Sequence, residues 1–533
     1  MLTATRPHAP ASDAPLPTLA ERLREAAARH PDVEAVVDGQ RRLTFRELEG
    51  LAETFAAALQ DRGVHAGDVV LVQLPNWWET VVATWATWLA GGVILPVVPI
   101  YRAHELAFII EQVRPSVVVA PQTYRGYEHA ARLRELLSAG RHEARVIGIR
   151  MESDVAGVDP VEPLLASPRR AESLDPAIGS DDTALVLYTS GTTSAPKGAL
   201  HSHRTLLAES ASIRELCRLD GSDRVFMPSP LSHITGLSYA VVLPTDVACP
   251  AVLLDRWDPE AAADLVEREG CTFTVSATPF LRGLTDAYSA RTDTRSSLRT
   301  FICGGADIPS ELVRRAHAVM GTAVVRTYGS TELPTLAMAD PFGDLDAQAD
   351  REGGAIGGNE MIVRQDADRV SELLARGPEL FLGYVDPTLN EAAFTDDGFF
   401  RTGDAATIED GILHISGRIK DIINRGGEKY SAAEVEWALL GHAAVAEVAI
   451  VGYPDRYLGE RACAFVVPLD HDPPTLDDLR EHLLSAGFAV QKAPERLEIV
   501  AELPRTASGK IQKFRLREGL GWAASPDEVE RRR

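Results

Sequence analysis

Between residue 69 and about residue 330, short runs of mostly apolar residues alternate with helix-length amphipathic stretches; the runs fall at 69–74, 117–120, 184–187, 225–227, 251–254, 273–275, 300–302 and 324–326. A strand with one wet face alternates polar and apolar residues. Runs without that alternation belong to strands buried on both faces, which requires helices on both sides of a mostly parallel sheet. The pattern predicts an α/β protein built in layers. Ahead of it, Thr44-Phe45-Arg46-Glu47 forms a capping box, with Thr44 as N-cap and Glu47 reaching back. Leu48, Leu51, Ala52, Phe55 and Leu59 then follow helical spacing, and Gly63 ends the helix.

Beyond residue 360 the texture changes, and short strands with Gly/Asp turns fill 379–416. A separate unit follows: Ile422-Ile423, a Gly426-Gly427 turn, a helix from about Ser431, strands at 445–451 and 462–467, a helix from about Leu476 and a strand at 497–500. This predicts a small C-terminal α+β domain. A chain of 533 residues is too long for one core. We divide it into a disordered leader at 1–17, a large N-terminal domain at 18–419, a hinge at Lys420 and a C-terminal domain at 421–533. The leader, rich in Ala, Pro and Thr, lacks the basic and apolar regions of a signal peptide.

Basic residues number 54 and acidic residues 77, for a net charge of −23. That balance argues against nucleic-acid or anionic-membrane partners while leaving room for a local anion pocket. The five cysteines (Cys217, Cys249, Cys271, Cys303 and Cys463) are scattered, with no CxxC pair. This argues against a zinc site or a disulfide framework and fits a reducing cytoplasm. No segment reaches the roughly 18–20 apolar residues that span a bilayer, and the nearest, 93–100, is broken by two prolines.

The stretch Leu187-Tyr188-Thr189-Ser190-Gly191-Thr192-Thr193-Ser194-Ala195-Pro196-Lys197-Gly198 crowds glycine and hydroxyl residues ahead of a lysine. Glycine admits close approach of an anion, N–H groups and hydroxyls donate to phosphate oxygens, and lysine adds a point charge. Lys197 precedes its glycine, so this is not a Walker A loop. It suits a polyphosphate, most simply ATP. Four further stretches are each, alone, as readily a plain turn or surface loop. Tyr328-Gly329-Ser330-Thr331-Glu332 offers a carboxylate to Mg²⁺, a hard cation that takes carboxylate and phosphate oxygens, and a ring to a planar base. Cys303-Gly304-Gly305-Ala306-Asp307 permits a flat ring to approach. Arg401-Thr402-Gly403-Asp404 offers two acceptor oxygens to the hydroxyls of a ribose. Pro504-Arg505-Thr506-Ala507-Ser508-Gly509-Lys510-Ile511 delivers one lysine on a loop of small residues.

In their order and spacing these stretches, with Gly417-Arg418-Ile419-Lys420-Asp421 and Arg425-Gly426-Gly427-Glu428-Lys429, resemble the adenylate-forming superfamily of acyl-CoA synthetases, peptide-synthetase adenylation domains and firefly luciferase, from about Thr44 to Arg515. The resemblance implies a large N-terminal domain of layered α/β subdomains with a β-barrel, and a small, mobile C-terminal lid. It implies a reaction in two halves: a carboxylate attacks the α-phosphate of MgATP to give acyl-AMP and pyrophosphate, and a thiol then takes the acyl group. By the same resemblance Thr189, Ser190, Gly191, Thr192, Thr193 and Lys197 face the β- and γ-phosphates. Glu332 holds Mg²⁺ and Thr331 the α-phosphate. Gly305, Ala306 and Tyr328 frame adenine, Asp404 binds the ribose with Arg418 beside it, and Lys510 is the adenylation lysine. Lys420 sits at the family's hinge.

Pro230-Leu231-Ser232-His233-Ile234-Thr235-Gly236-Leu237 matches the segment lining the acyl pocket, with His233 at the mouth of the thiol tunnel. Amino-acid-activating relatives place an Asp near that histidine. Here there is none, and an ammonium would go unpaired at a cost of several kcal/mol. Ile234, Gly236, Leu237, Ala277 and Pro279 instead suit an aliphatic, alicyclic or aromatic acid. Ser194-Ala195, which lacks a frequent glycine, and Leu74-Pro75-Asn76-Trp77-Trp78 are similar to ligases resembling cyclohexanecarboxylate-CoA ligase; Ser371 replaces another frequent glycine. Gly426 and Gly427 match the turn lining the pantetheine tunnel of CoA ligases. CoA is the expected acceptor, a holo-acyl carrier protein the alternative, and a homodimer is left open.

Overall fold

The computed structural model describes residues 16–166, 168–171, 178–189, 196–291, 295–305, 308–365, 371–426, 428–469, 472–505 and 511–520. All but the last two residues of the expected leader at 1–17 lie outside them. The chain falls into two units, one holding the described residues up to Thr189 with Lys197–Glu360 and Arg376–Gly398, the other holding Met361–Ala375 and the described residues from Phe399 onward.

The first unit contains two large sheets. The eight-stranded sheet runs in the order Gly383–Tyr384, Lys197–Ser202, Thr183–Thr189, Val93–Pro96, Val69–Val72, Val117–Pro121, Arg145–Ile149 and Val158–Pro160. From Thr183–Thr189 to the far edge all neighbours are parallel. Lys197–Ser202 folds back antiparallel, with Lys197 opposite Thr189, and Gly383–Tyr384 pairs with it in turn. The nine-stranded sheet runs Gly354–Ala355, Ala337–Met338, Ala323–Tyr328, Thr300–Cys303, Phe273–Ser276, Val225–Met227, Ala251–Leu253, Glu34–Asp38 and Arg41–Thr44. Its strands from Ala323–Tyr328 to Glu34–Asp38 are parallel. The apolar runs are these strands, and Val69–Val72, Val93–Pro96, Val117–Pro121 and Val225–Met227 are buried at every position. Two faces of burial are what removed the polar alternation.

The helix Phe45–Asp61 begins as its capping box requires: Glu47 N donates to Thr44 Oγ1 at 3.3 Å, and Thr44 N donates to Glu47 Oε2 at 2.9 Å. It buries Leu48, Ala52, Phe55 and Leu59 in a core that also takes Trp85, with Leu51 half-buried at its edge. Each large side chain so placed contributes about 2 kcal/mol. Parallel strands carry their C-terminal ends to one edge of a sheet, where α/β proteins bind ligands. Thr189, Cys303 and Tyr328 each end such a strand.

The second unit carries most of a four-stranded sheet of Glu360–Arg364, Glu372–Arg376, Phe400–Glu409 and Ile412–Arg418, the last three antiparallel. Its other sheet has five strands, with Val445–Asp455 paired antiparallel to Gly459–Pro468 and Arg496–Ile499 added parallel to the latter. Helices Ala432–Leu439 and Leu476–Ser485 press Val435, Leu439, Leu479 and Leu483 against it. This is the α+β arrangement that the C-terminal sequence predicts.

Candidate active site

The strand Ala323–Tyr328 runs into a tight turn. Ser330 Oγ accepts from Glu332 N at 3.2 Å and Leu333 N at 3.3 Å, and Ser330 N donates to Leu333 O at 2.9 Å. Gly329 has to be glycine, because a Cβ there would stand 1.9 Å from Pro334 O. The turn leaves Tyr328, Thr331 and Glu332 half-buried. Three contacts hold it. Phe381 N donates to Glu332 O at 2.8 Å. The Tyr384 hydroxyl donates to Glu332 Oε1 at 2.8 Å. His201 Nε2 lies 2.7 Å from Thr331 O, and since a carbonyl only accepts, this imidazole carries its proton on Nε2. His201 Nδ1 faces Thr205 Oγ1 at 3.1 Å.

Lys197 and His201 share the strand Lys197–Ser202. The Lys197 ammonium sits over the Tyr384 ring, 5.2 Å from its centroid, a cation–π contact. Tyr384 thus joins the two charges, with its ring under the cation and its hydroxyl on the carboxylate. Thr189 Oγ1 donates to Lys197 O at 3.4 Å. Gly305 follows the strand Thr300–Cys303, and among the described residues beyond its chain neighbours no atom lies within 4 Å of where a Cβ would stand. Ser190, Gly191, Thr192, Thr193, Ala306, Gly427 and Lys510 lie outside the described residues.

The segment Pro230–Leu237 begins beside the Leu74–Trp78 stretch. Asn76 Nδ2 donates to Ser229 O at 2.8 Å and Leu254 O at 3.1 Å, while its Oδ1 accepts from Leu231 N at 2.8 Å. His233 precedes the helical turn Ile234–Leu237, whose Gly236 crosses Pro230 so closely that a Cβ would meet Pro230 O at 2.0 Å. Gly236 is therefore fixed by backbone packing, while Ile234 and Leu237 are buried and His233 is half-buried. A π-helix, Ser238–Val242, follows directly; such turns concentrate at functional sites. Ala277 is half-buried at the N-cap of Thr278–Ser289, and Pro279, in that helix's first turn, is exposed.

In the second unit Asp404 and Arg418 are register partners on neighbouring strands. Arg418 Nε reaches the Oδ1 of buried Asp404 at 2.7 Å, a charge-assisted contact. Asp404 N donates to Thr402 Oγ1 at 3.1 Å. Lys420 lies in the turn Ile419–Asp421, where Arg517 donates to Lys420 O at 3.4 Å and to Asp421 Oδ1 at 2.7 Å. Gly426 closes the strand Ile422–Arg425, its N–H donating to Leu458 O at 2.7 Å.

Sequence reasoning passed over His201 and Tyr384. Both gain their roles from strand pairing, and their partners stand 130 and 52 residues away. The only local signal was a histidine on the strand after the lysine. Among the described residues no group of three or more His, Cys, Asp or Glu side chains is placed to hold a metal. A Mg²⁺ ion here would take Glu332 from the chain and its remaining oxygens from phosphate and water, which suits its preference for few protein ligands. Among the described residues no helix is long and apolar enough to cross a membrane.

The chain matches the family described as AMP-binding enzyme over residues 23–385 and the AMP-binding enzyme C-terminal domain over 434–510. It is 33% identical to a medium-chain fatty-acid–CoA ligase of Escherichia coli, covering 96% of this chain and 92% of that one. It is also 33% identical to a 2,3-dihydroxybenzoate-AMP ligase of Bacillus subtilis, with 94% of each chain covered. Among solved structures, ATP-bound MatB from Rhodopseudomonas palustris superposes with a TM-score of 0.83 at 28% identity, covering 94% of this chain and 98% of that one. A turn whose Glu332 shares Tyr384 with Lys197, on a chain matched over more than nine-tenths of its length, places the chain in its family: it belongs to the AMP-binding enzymes and is an adenylate-forming acid–thiol ligase.

Proposed function

We propose that the protein activates a hydrophobic carboxylic acid (alicyclic, aryl or medium-chain) with ATP to give acyl-AMP and pyrophosphate, and then passes the acyl group to CoA. The observation that carries the choice of acid is the acyl segment, which runs from Pro230 to Leu237 without a carboxylate and buries Ile234 and Leu237.

In the first half-reaction an acid carboxylate oxygen attacks the α-phosphorus, and the bond to the β-phosphate oxygen breaks, its electron pair leaving with pyrophosphate. A carboxylate is already a nucleophile near neutral pH, so no general base is needed. What the chain supplies is position and charge. Lys197 neutralises the departing phosphates, with Thr189, Ser190, Gly191, Thr192 and Thr193 as donors around them. His201 fixes the carbonyl of Thr331, which orients the turn toward the α-phosphate. Bound Mg²⁺ would supply further neutralisation of phosphate charge at Glu332. Asp404 accepts from the ribose hydroxyls with Arg418 holding its carboxylate, Gly305, Ala306 and Tyr328 frame the base, and Lys510 bridges acid and α-phosphate oxygens.

In the second half-reaction the CoA sulfur attacks the acyl carbon and the bond to the AMP phosphate oxygen breaks; the thiol proton leaves to solvent. The acid-side and thiol-side steps want different surroundings, so we assign Lys420 as the pivot that carries Lys510 away before the thiol enters past His233 and the Gly426-Gly427 turn. The net charge of −23 and the scattered cysteines fit work in the cytoplasm. The test is acid-dependent pyrophosphate release across medium-chain, cyclohexane, benzoate-type and polycyclic acids and amino acids. Release with the hydrophobic acids and not with amino acids supports the reading, and release driven best by an amino acid overturns it.

A further inference from the structure

Behind the Thr331–Glu332 turn lies a buried pair of carboxyl groups. Glu209, on the helix His203–Cys217, and Glu379 are both without exposed surface. Among the described residues their donors are all neutral. Tyr239 OH donates to Glu209 Oε1, and Thr335 Oγ1 donates to the same oxygen at 2.8 Å. Ser212 Oγ donates to Glu379 Oε1 at 2.5 Å and Asn359 Nδ2 to Glu379 Oε2 at 2.8 Å. Glu209 Oε2 has none of these neutral donors, and the side chain within hydrogen-bonding reach of Glu209 from the loop is Glu379.

Two buried carboxyl groups side by side disfavour ionisation of both. Burial, and behind it the Glu209 charge, pushes the Glu379 carboxyl far above the usual carboxylate range. A proton on Glu379 would let its carboxyl donate to Glu209 and link the helix to the loop. These residues hold the C-terminal side of the turn through contacts to Thr335 and Glu332. Thr335, three residues past Glu332, is held through its side chain by Glu209 and through its carbonyl by Asn359 Nδ2 at 3.1 Å. Phe381, two residues past Glu379, donates to Glu332 O at 2.8 Å. Tyr239, which shares Glu209 Oε1, belongs to the π-helix that follows the acyl segment.

We propose that Glu209 and Glu379 are positioning residues for acid activation: through Thr335, Asn359 and Phe381 they set the backbone that presents Thr331 and Glu332. The proposal rests on the adenylation reading above. Glu209→Gln keeps every hydrogen bond, because its amide oxygen still accepts from Tyr239 and Thr335 and its NH₂ donates to an ionised Glu379. Glu209→Ala breaks the link, and Thr335→Val removes one donor with little change of volume.

The experiment first requires acid-dependent pyrophosphate release by the unmodified protein; its absence would refute the function and not this proposal. Three readings are then taken well below each variant's unfolding temperature: the half-saturating Mg²⁺ concentration for acyl-AMP formation, thioester formation from supplied acyl-AMP, and Mn²⁺ affinity in the presence of a non-hydrolysable ATP analogue by electron paramagnetic resonance. We expect Glu209→Gln to stay within about twofold throughout, Glu209→Ala to need about tenfold more Mg²⁺ and bind Mn²⁺ about tenfold more weakly, and Thr335→Val to shift both by about threefold. Thioester formation from acyl-AMP stays within about twofold. Thr335→Val tests the positioning even where Glu209→Ala does not fold. Unchanged Mg²⁺ and Mn²⁺ values in the alanine and valine variants, or a parallel loss of both half-reactions, would overturn the proposal.

Discussion

The Tyr384 hydroxyl donates to Glu332 Oε1 at 2.8 Å while the Tyr384 ring lies 5.2 Å beneath the Lys197 ammonium. One aromatic side chain therefore touches both a cation and a carboxylate. Tyr384→Phe keeps the ring and removes the donor. A hydrogen bond to a charged group contributes about 1.5–3 kcal/mol, so kcat/KM for MgATP in acyl-AMP formation should fall about tenfold or more. Tyr384→Ala should fall further by losing the ring as well. Steady-state pyrophosphate release checks both, and Tyr384→Phe at unmodified activity would remove Tyr384 from the account.

His201 acts one step back, through the Thr331 carbonyl at 2.7 Å. His201→Ala leaves that carbonyl without its donor, a cost of about 1–3 kcal/mol. Acyl-AMP formation should slow by about tenfold to a hundredfold, with thioester formation from supplied acyl-AMP nearly unchanged. Separate assays of the two half-reactions make the comparison.

Asp404 and Arg418 meet at 2.7 Å on neighbouring strands. Asp404→Asn halves the charge-assisted bonding available to a ribose and should raise KM for ATP about tenfold with a smaller change in kcat. Arg418→Ala should act in the same direction. Because the two side chains work as one unit, the double variant should cost less than the sum of the singles. A double-variant cycle on KM for ATP reads this, and strict additivity would separate their roles.

Much of this was legible in the chain. Strands buried on both faces leave apolar runs, so Val225–Met227 and its neighbours were readable within a residue or two, and Thr44 and Glu47 cap their helix as the motif dictates. Thr331, Glu332, Asp404 and Arg418 could be named as candidates because their chemistry is packed into short motifs. His201, Tyr384, Glu209 and Glu379 were not, because each acquires meaning only from a partner across a sheet or a loop. The glycines divide the same way. Gly236 was read as pocket lining, and its closeness to Pro230 O adds a packing reason for a glycine there.

Acid should loosen the first unit. His203 Nδ1 accepts from Leu19 N at 3.3 Å, which a proton on Nδ1 would prevent, and His129 Nδ1 faces Gln73 Oε1 at 3.2 Å inside the core. Burial lowers His203 from 6.5 to about 4, and burial with the nearby Arg102 charge does the same to His129. Both are neutral in the fold, whereas the unfolded chain takes up protons below 6.5. Their contribution is therefore full above pH 6.5 and is lost as pH falls from there toward about 4, up to about 3 kcal/mol for each. Denaturant unfolding between pH 7 and 4.5 should show the fall, and His203→Gln should flatten it. An unchanged slope in that variant would mean His203 is not a source of it.

The most direct measurement follows the products of one reaction holding the chain, MgATP, a hydrophobic acid that triggers pyrophosphate release, and CoA. AMP, pyrophosphate and acyl-CoA should form in equal amounts, with acyl-AMP remaining on the protein when CoA is left out. Appearance of ADP in place of AMP, or acyl-AMP that yields a thioester on a holo-carrier protein and none on CoA, would contradict the proposed reaction.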